Sequence, residues 1–282
     1  MSQDIRRIVA AALAEDAPYG DLTSEALVPA EAQLSAVLVA REPGRFSGGE
    51  VFAAVFELVD ASTTVALHLP DGAAFNSGTV LATVAGPARA VLRGERVALN
   101  LVQRMSGIAT LTAEYVAAAA GTGARIVDTR KTTPGLRVLE RQAVRDGGGH
   151  NHRFSLSDAV MAKDNHLAAL TGAGVSLAEA LRGARARISH TTHLEVEVDR
   201  LDQLAEVLAV EPGVVDSVML DNFSPAELRR GVELVAGRLI VEASGGVNLD
   251  TVGEIARTGV DVISVGALTH SVRSLDLGLD VQ

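Results

Sequence analysis

The sequence predicts an α/β protein, an N-terminal α/β layer followed by a parallel α/β barrel, partial or complete. Three observations predict it. From about residue 124 to 267, short β-branched runs alternate with helical segments. The runs start roughly 22 to 35 residues apart, the interval of a repeated strand–helix unit. A barrel alone can use about 250 residues, so 282 residues fit a barrel plus a small extra module.

The N-terminal half mixes its elements irregularly. Met1 to Asp16 reads as an amphipathic helix with Ile5, Ile8, Val9, Ala12 and Leu13 on one face. Leu34–Ala40 reads as a strand and Glu50–Val59 as a helix. Thr64–Leu69 and Thr79–Val84 read as two short strands, separated by the Asp71-Gly72 turn signal. One helix is expected from Pro87 to about Arg104, and another from Ile108 to Ala120. The barrel runs are Arg125–Arg130, Ala159–Lys163, Leu194–Asp199, Ser217–Asp221, Leu239–Ser244 and Val262–Gly266. Neither a dinucleotide fingerprint nor a Gly-x-x-x-x-Gly-Lys phosphate loop is present.

Composition excludes several classes. With 48% hydrophobic residues the chain has ample material for a core. A net charge of −10, 3% aromatics and no Trp speak against a nucleic-acid coat protein. There is no Cys, hence no disulfide or thiolate site. No apolar run reaches the ~18 residues of a membrane span, and no secretory h-region opens the chain, so a cytoplasmic protein is expected. Only two of the 25 basic residues are lysines, Lys131 and Lys163. Both lie between Arg125 and Lys163, a segment with a local net of +4 that leaves −14 for the remainder.

Barrel active sites form at the C-terminal ends of the strands. Alternate residues put Asp128 with Arg130, Met161 with Lys163, and Glu195 with Glu197 and Asp199, leaving Leu194, Val196 and Val198 to face the helices. The fourth strand ends in Asp221, the fifth in Glu242 and Ser244, the sixth in Ser264 and Gly266. Inward carboxylates need partners. Structural pairing is the simpler reading for Asp128 and Glu195, for example Glu195 with Arg130, whereas Glu197 and Asp221 point to ligand contact. Arg137, Arg141 and Arg145 have the spacing of a solvated helix face. Arg130, Lys131, His152, Arg153 and Lys163 lie at strand ends or in a glycine loop, where carboxylate or phosphate is gripped. Ser244-Gly245-Gly246 and Val265-Gly266-Ala267 place small residues where barrels hold phosphate. Three other readings stay open on these residues alone. His150-x-His152 suits half of a hydrolase metal site, Lys163 suits a Schiff-base lysine, and the scaffold suits a non-catalytic ligand sensor.

Asp128-Thr129-Arg130-Lys131-Thr132-x-Pro134-Gly135-Leu136-Arg137 closely resembles the signature of the quinolinate phosphoribosyltransferase family. The resemblance continues through Glu95-Arg96, Ser106-Gly107-Ile108-Ala109-Thr110, Asn151-His152-Arg153, Lys163-Asp164-Asn165-His166, Glu195-Val196-Glu197, Leu220-Asp221-Asn222-Phe223, Ser244-Gly245-Gly246 and Val265 to His270. It implies an N-terminal α/β sandwich over residues 1–107, with 270–282 packing back on it, and an incomplete TIM-like barrel over 108–269. It implies transfer of phosphoribose from phosphoribosyl pyrophosphate to quinolinate, with release of CO2 and pyrophosphate, in NAD synthesis, and a need for Mg²⁺. A related phosphoribosyltransferase acting on another ring is the alternative within the family.

By that resemblance Arg130, His152 and Arg153 grip the quinolinate carboxylates, and Arg96 enters from the partner of a homodimer. Lys131 and Lys163 face carboxylate or pyrophosphate oxygens. Glu197 and Asp221 hold ribose hydroxyls or magnesium carried by the substrate. Ser244, Gly245 and Gly266 cradle the 5′-phosphate, and Thr129, Gly246, Val265, Ala267 and His270 complete the substrate contacts. A hexamer of dimers is a further possible assembly. No nucleic acid and no membrane are expected as partners.

Overall fold

The computed structural model describes every residue except 1, 164, 167, 168 and 170–173. It divides into two compact units. The first holds Met1–Ala113, Lys131–Gly149 and Leu268–Gln282, and the second Glu114–Arg130 and His150–Ala267.

The first unit is built on a four-stranded antiparallel sheet. Its strands are β1 (Gln33–Ala40), β3 (Thr64–Leu67), β5 (Val80–Pro87) and β12 (Leu277–Val281), in the order β12-β1-β5-β3. A two-stranded ribbon pairs β2 (Gly44–Arg45) with β4 (Ala74–Phe75). Helix α1 (Gln3–Asp16) starts where the Ser2 hydroxyl accepts from the Ile5 amide, and it buries Ile8, Val9 and Leu13. Helix α2 (Leu22–Leu27), capped by Asp21, is too short for sequence periodicity to announce. Helix α3 (Gly49–Val59) buries Phe52 and Phe56, whose rings meet edge-on at 5.0 Å. Asp71 of the predicted turn caps α3 by accepting from the amides of Gly48 and Gly49.

The largest departure from sequence expectation is helix α4 (Ala88–Ala118), one helix of 31 residues where two were expected. Ser106-Gly107 reads as a break, but both residues serve packing. A Cβ on Gly107 would stand 2.2 Å from the Arg273 carbonyl, so only glycine fits there. The Ser106 hydroxyl meets the backbone of Ser47. Helix α5 (Arg137–Asp146) completes this unit. Among the described residues, no helix is long and apolar enough to cross a membrane.

The second unit is a six-stranded parallel sheet. Its strands are β6 (Arg125–Val127), β7 (Val160–Ala162), β8 (Leu194–Val198), β9 (Ser217–Asp221), β10 (Ile240–Ser244) and β11 (Val262–Ser264). The order is β6-β11-β10-β9-β8-β7, so the first strand pairs with the last. Among the described residues β6 and β7 share no ladder, and the barrel is incomplete. Helices α6 (Leu177–Arg187), α7 (Leu201–Leu208), α8 (Pro225–Val235) and α9 (Val252–Ala256) alternate with the strands. Capping boxes at Ser176 and Ser224 start α6 and α8. A Cβ on Gly231 would stand 2.7 Å from Leu220, so the glycine lets α8 lie close on β9.

Alternation holds as the sequence predicts. Leu194, Val196 and Val198 are buried aliphatics, and Glu195 lies between them on the other face. Asp199 is the exception. Strand β8 ends at Val198, and Asp199 is exposed and pairs with Arg200 at 3.1 Å, so it is not a carboxylate of the inner face.

Candidate active site

In the second unit the chemistry lies at two depths. The deep layer starts from Asp128, fully buried just past β6. It accepts from Asn151 Nδ2 at 2.6 Å and from the His152 amide at 2.7 Å. These two bonds tie the glycine loop's exit to β6, which gives Asp128 the structural role expected of it. The tie presents the His152 ring to two buried carboxylates. Nε2 stands 3.1 Å from Glu242 Oε2 and 3.5 Å from Glu195 Oε2. Glu195 therefore meets His152, and the suggested pair with Arg130 is replaced. The reason is the Asp128 tie, which holds the His152 ring against Glu195 and Glu242.

Burial lowers the His152 pKa, but the two carboxylates outweigh it and raise it from 6.5 to about 10. Burial pushes the Glu242 carboxyl up, against the opposing pull of His152. The Arg153 amide donates to His152 Nδ1 at 2.7 Å. With Nδ1 accepting that bond the ring proton lies on Nε2, facing the carboxylates, and charging the ring would release the Arg153 amide. These three residues are the one group of three potential metal ligands among the described residues. His150 is exposed and outside the group, which removes the first histidine of the hydrolase reading.

The upper layer lies toward the C-terminal ends of the strands. Lys163, just past β7, pairs with Glu197 near the end of β8, and the lysine side chain is 41% exposed against 12% for the carboxylate. That ion pair argues against a desolvated Schiff-base lysine. Asp164, invoked beside Lys163, lies outside the described residues. Arg153 donates to the Ala159 carbonyl at 2.8 Å. Its pKa is lowered by burial first and then by the nearby Arg130 guanidinium. Arg130 Nε is buried without a hydrogen-bond partner. Two neighbouring guanidiniums, one with an unsatisfied donor, are an arrangement whose chemistry suits a planar carboxylate.

Asp221 ends β9 and accepts from Asn222 Nδ2 at 2.7 Å. Asn222 has φ of 59°, and its amide donates to the Ser244 carbonyl at 2.8 Å. Gly245 has φ of 87°, and a Cβ there would stand 2.2 Å from Asn222 Oδ1. The glycine turn is thus required twice over, by conformation and by close approach. Gly246 is exposed with φ of 62°. Val265 is buried and donates to the Val127 carbonyl at 2.9 Å, and Gly266 and Ala267 follow it half-buried. Thr129 is half-buried after Asp128.

Arg96, Lys131 and His270 belong to the first unit. Arg96 is exposed on α4, Lys131 is exposed, and His270 is exposed at the end of the short helix α10 (Ala267–His270). Sequence reasoning missed the roles of Asn151 and Asn222. The signal for Asn222 was its position directly after a strand-ending aspartate, where asparagine tolerates positive φ.

The chain matches the family described as quinolinate phosphoribosyl transferase, with its N-terminal domain over residues 21–106 and its C-terminal domain over 108–280. It is 45% identical to a probable nicotinate-nucleotide pyrophosphorylase [carboxylating] of Bacillus subtilis, covering 95% of this chain and 90% of the relative. It is 45% identical to the nicotinate-nucleotide pyrophosphorylase [carboxylating] of Mycobacterium leprae, covering 98% and 96%. The crystal structure of NadC from Streptococcus pyogenes superposes with a TM-score of 0.91 at 41% identity, covering 99% of this chain and 97% of that one. The chain therefore belongs to the quinolinate phosphoribosyltransferase family.

Proposed function

We propose that the protein transfers phosphoribose from phosphoribosyl pyrophosphate to the ring nitrogen of quinolinate and releases pyrophosphate and CO2, leaving nicotinate mononucleotide. The observation that carries this reading is the convergence of Arg130, with its buried unpartnered Nε, and Arg153 near His152, whose ring stands against Glu195 and Glu242. Arg130, His152 and Arg153 bind the two carboxylates, and Thr129 supports them. Lys163 exchanges Glu197 for a substrate oxygen, and Lys131 meets a carboxylate or the pyrophosphate. Displacement at the ribose carbon develops positive charge, which Glu197 and Asp221 stabilise through the ribose. The ring nitrogen becomes cationic on glycosylation and stabilises the carbanion left when CO2 departs, and that ring carbon then takes up a proton to complete nicotinate mononucleotide. Ser244, Gly245, Gly246, Val265, Gly266 and Ala267 hold the 5′-phosphate through backbone amides, with His270 on another substrate oxygen.

Magnesium suits the donor set. Glu197 and Asp221 come from neighbouring strands and offer hard oxygens. Neither belongs to a three-ligand cage among the described residues, and magnesium binds through one or two carboxylates, substrate phosphates and water. When bound, it neutralises charge on the leaving pyrophosphate. We place the protein in the cytoplasm as a homodimer in which the exposed Arg96 serves the partner's site.

Incubation with quinolinate, phosphoribosyl pyrophosphate and Mg²⁺ should release CO2 and form nicotinate mononucleotide. Turnover of nicotinate but not quinolinate would instead assign a related transferase. Light scattering checks the dimer, and a monomer at working concentration would exclude a shared site.

A further inference from the structure

We infer that Arg104 is a positioning residue for the segment that carries Lys131, an inference that rests on the substrate contact proposed for that lysine. Arg104 lies on α4, 27 residues before Lys131 in the chain, and no sequence motif above includes it. Its guanidinium serves three elements of the first unit at once. Nε and Nη2 donate to Glu140 Oε1 on α5 at 2.8 and 2.6 Å. Nη2 also donates to Thr133 Oγ1 at 2.8 Å and to the Thr269 carbonyl on α10 at 2.9 Å.

Each acceptor in turn holds the Lys131 segment. Glu140, with a side chain only 1% exposed, accepts from the Thr133 amide through Oε2 at 3.1 Å. The Thr269 hydroxyl donates to the Lys131 carbonyl at 2.8 Å. Arg137 Nε donates to the Thr132 hydroxyl at 3.0 Å. Lys131, Thr132 and Thr133 are thus each fixed by a different neighbour, while the Lys131 side chain stays exposed. A buried carboxylate paired by two bonds to a rigid planar fork sets position more tightly than one contact does. The same guanidinium fixes the carbonyl beside His270, so one side chain sets two segments proposed to meet substrate.

The test is a double-mutant cycle on carbon dioxide release. Arg104→Met alone strands the Glu140 charge in the interior and can fail to fold. Arg104→Met/Glu140→Gln removes both charges, retains an acceptor for the Thr133 amide, and is checked by circular dichroism and melting. The folded double variant should lose about a hundredfold in kcat/KM, the scale of an ångström of misplacement. Lys131→Ala should cost a similar factor in the unsubstituted enzyme, but less than about threefold in that background, because the lysine is already misplaced. Unsubstituted turnover in the folded double variant would overturn the positioning role. Fully multiplicative losses would overturn it too, since Arg104 would then act independently of Lys131. Unchanged turnover in Lys131→Ala would remove both this role and the lysine's proposed contact. No carbon dioxide release from the unsubstituted enzyme would remove the functional reading itself.

Discussion

Glu195 and Glu197 lie two residues apart on β8 and face the same way, yet they have opposite surroundings. Glu195 is 4% exposed and lies beside the His152 ring, with Glu242 across from it. Glu197 sits one step nearer the strand's end and meets a lysine whose side chain is 41% exposed. Depth along a single strand separates a carboxylate enclosed by built-in partners from one whose partner is solvent-accessible. A buried ion can be discharged only by its built-in partners, because desolvation has no other compensation. A half-exposed pair can exchange its partner for a substrate at little cost.

That contrast can be broken most forcefully from below. Asp128→Ala should cost roughly 3–5 kcal/mol, because it strands the Asn151 amide and the His152 N–H in the interior. Urea unfolding measures this, and a loss under about 1 kcal/mol would show that the deep layer is not structural. Glu197→Gln should do the reverse. Unfolding should shift by less than about 1 kcal/mol, while kcat/KM falls by about a hundredfold. A variant that melts early but turns over normally would invert the assignment of the two glutamates.

A further effect comes with pH. His152 is raised from 6.5 to about 10, so its contribution is complete below 6.5 and is lost as pH rises through about 10. Glu242 is raised as well and acts in the same direction, its contribution fading above the ordinary carboxylate range. The urea midpoint should therefore fall between pH 7 and 10, and His152→Gln should flatten that slope. An equal slope in the variant would place the titrating group elsewhere. The smallest effect belongs to the surface. Arg182 and Glu211 pair with both side chains about half exposed, and Arg182→Ala should change stability by less than about 0.5 kcal/mol. A larger loss would mean that exposure does not govern what these pairs contribute.

Strand alternation made Glu197, Asp221 and Lys163 visible from their neighbours alone, because burial on a strand repeats every two residues. Partner choice was not visible. His152 meets Glu242 across 90 residues, and Arg104 meets Thr269 across 165. Such distances are set by strand order, which places β6 beside β11, the last strand of its sheet. Local pattern also misread Ser106-Gly107. Glycine's flexibility there yields to the one long-range demand for close approach by the Arg273 carbonyl. The family signature did group the Arg130, Lys131 and His152 segments, but it carried no information about what lies beneath them.

The pairing of β12 with β1 has a consequence for synthesis. On the ribosome, Ala40 emerges 237 residues ahead of its partner Leu277. During that interval β5 can pair with one side of β1, while the other side offers unpaired amides and carbonyls to any extended chain nearby. Until β12 has been made, that edge of β1 therefore stays open to pairing with another extended chain. Non-local closure of this kind is also slow.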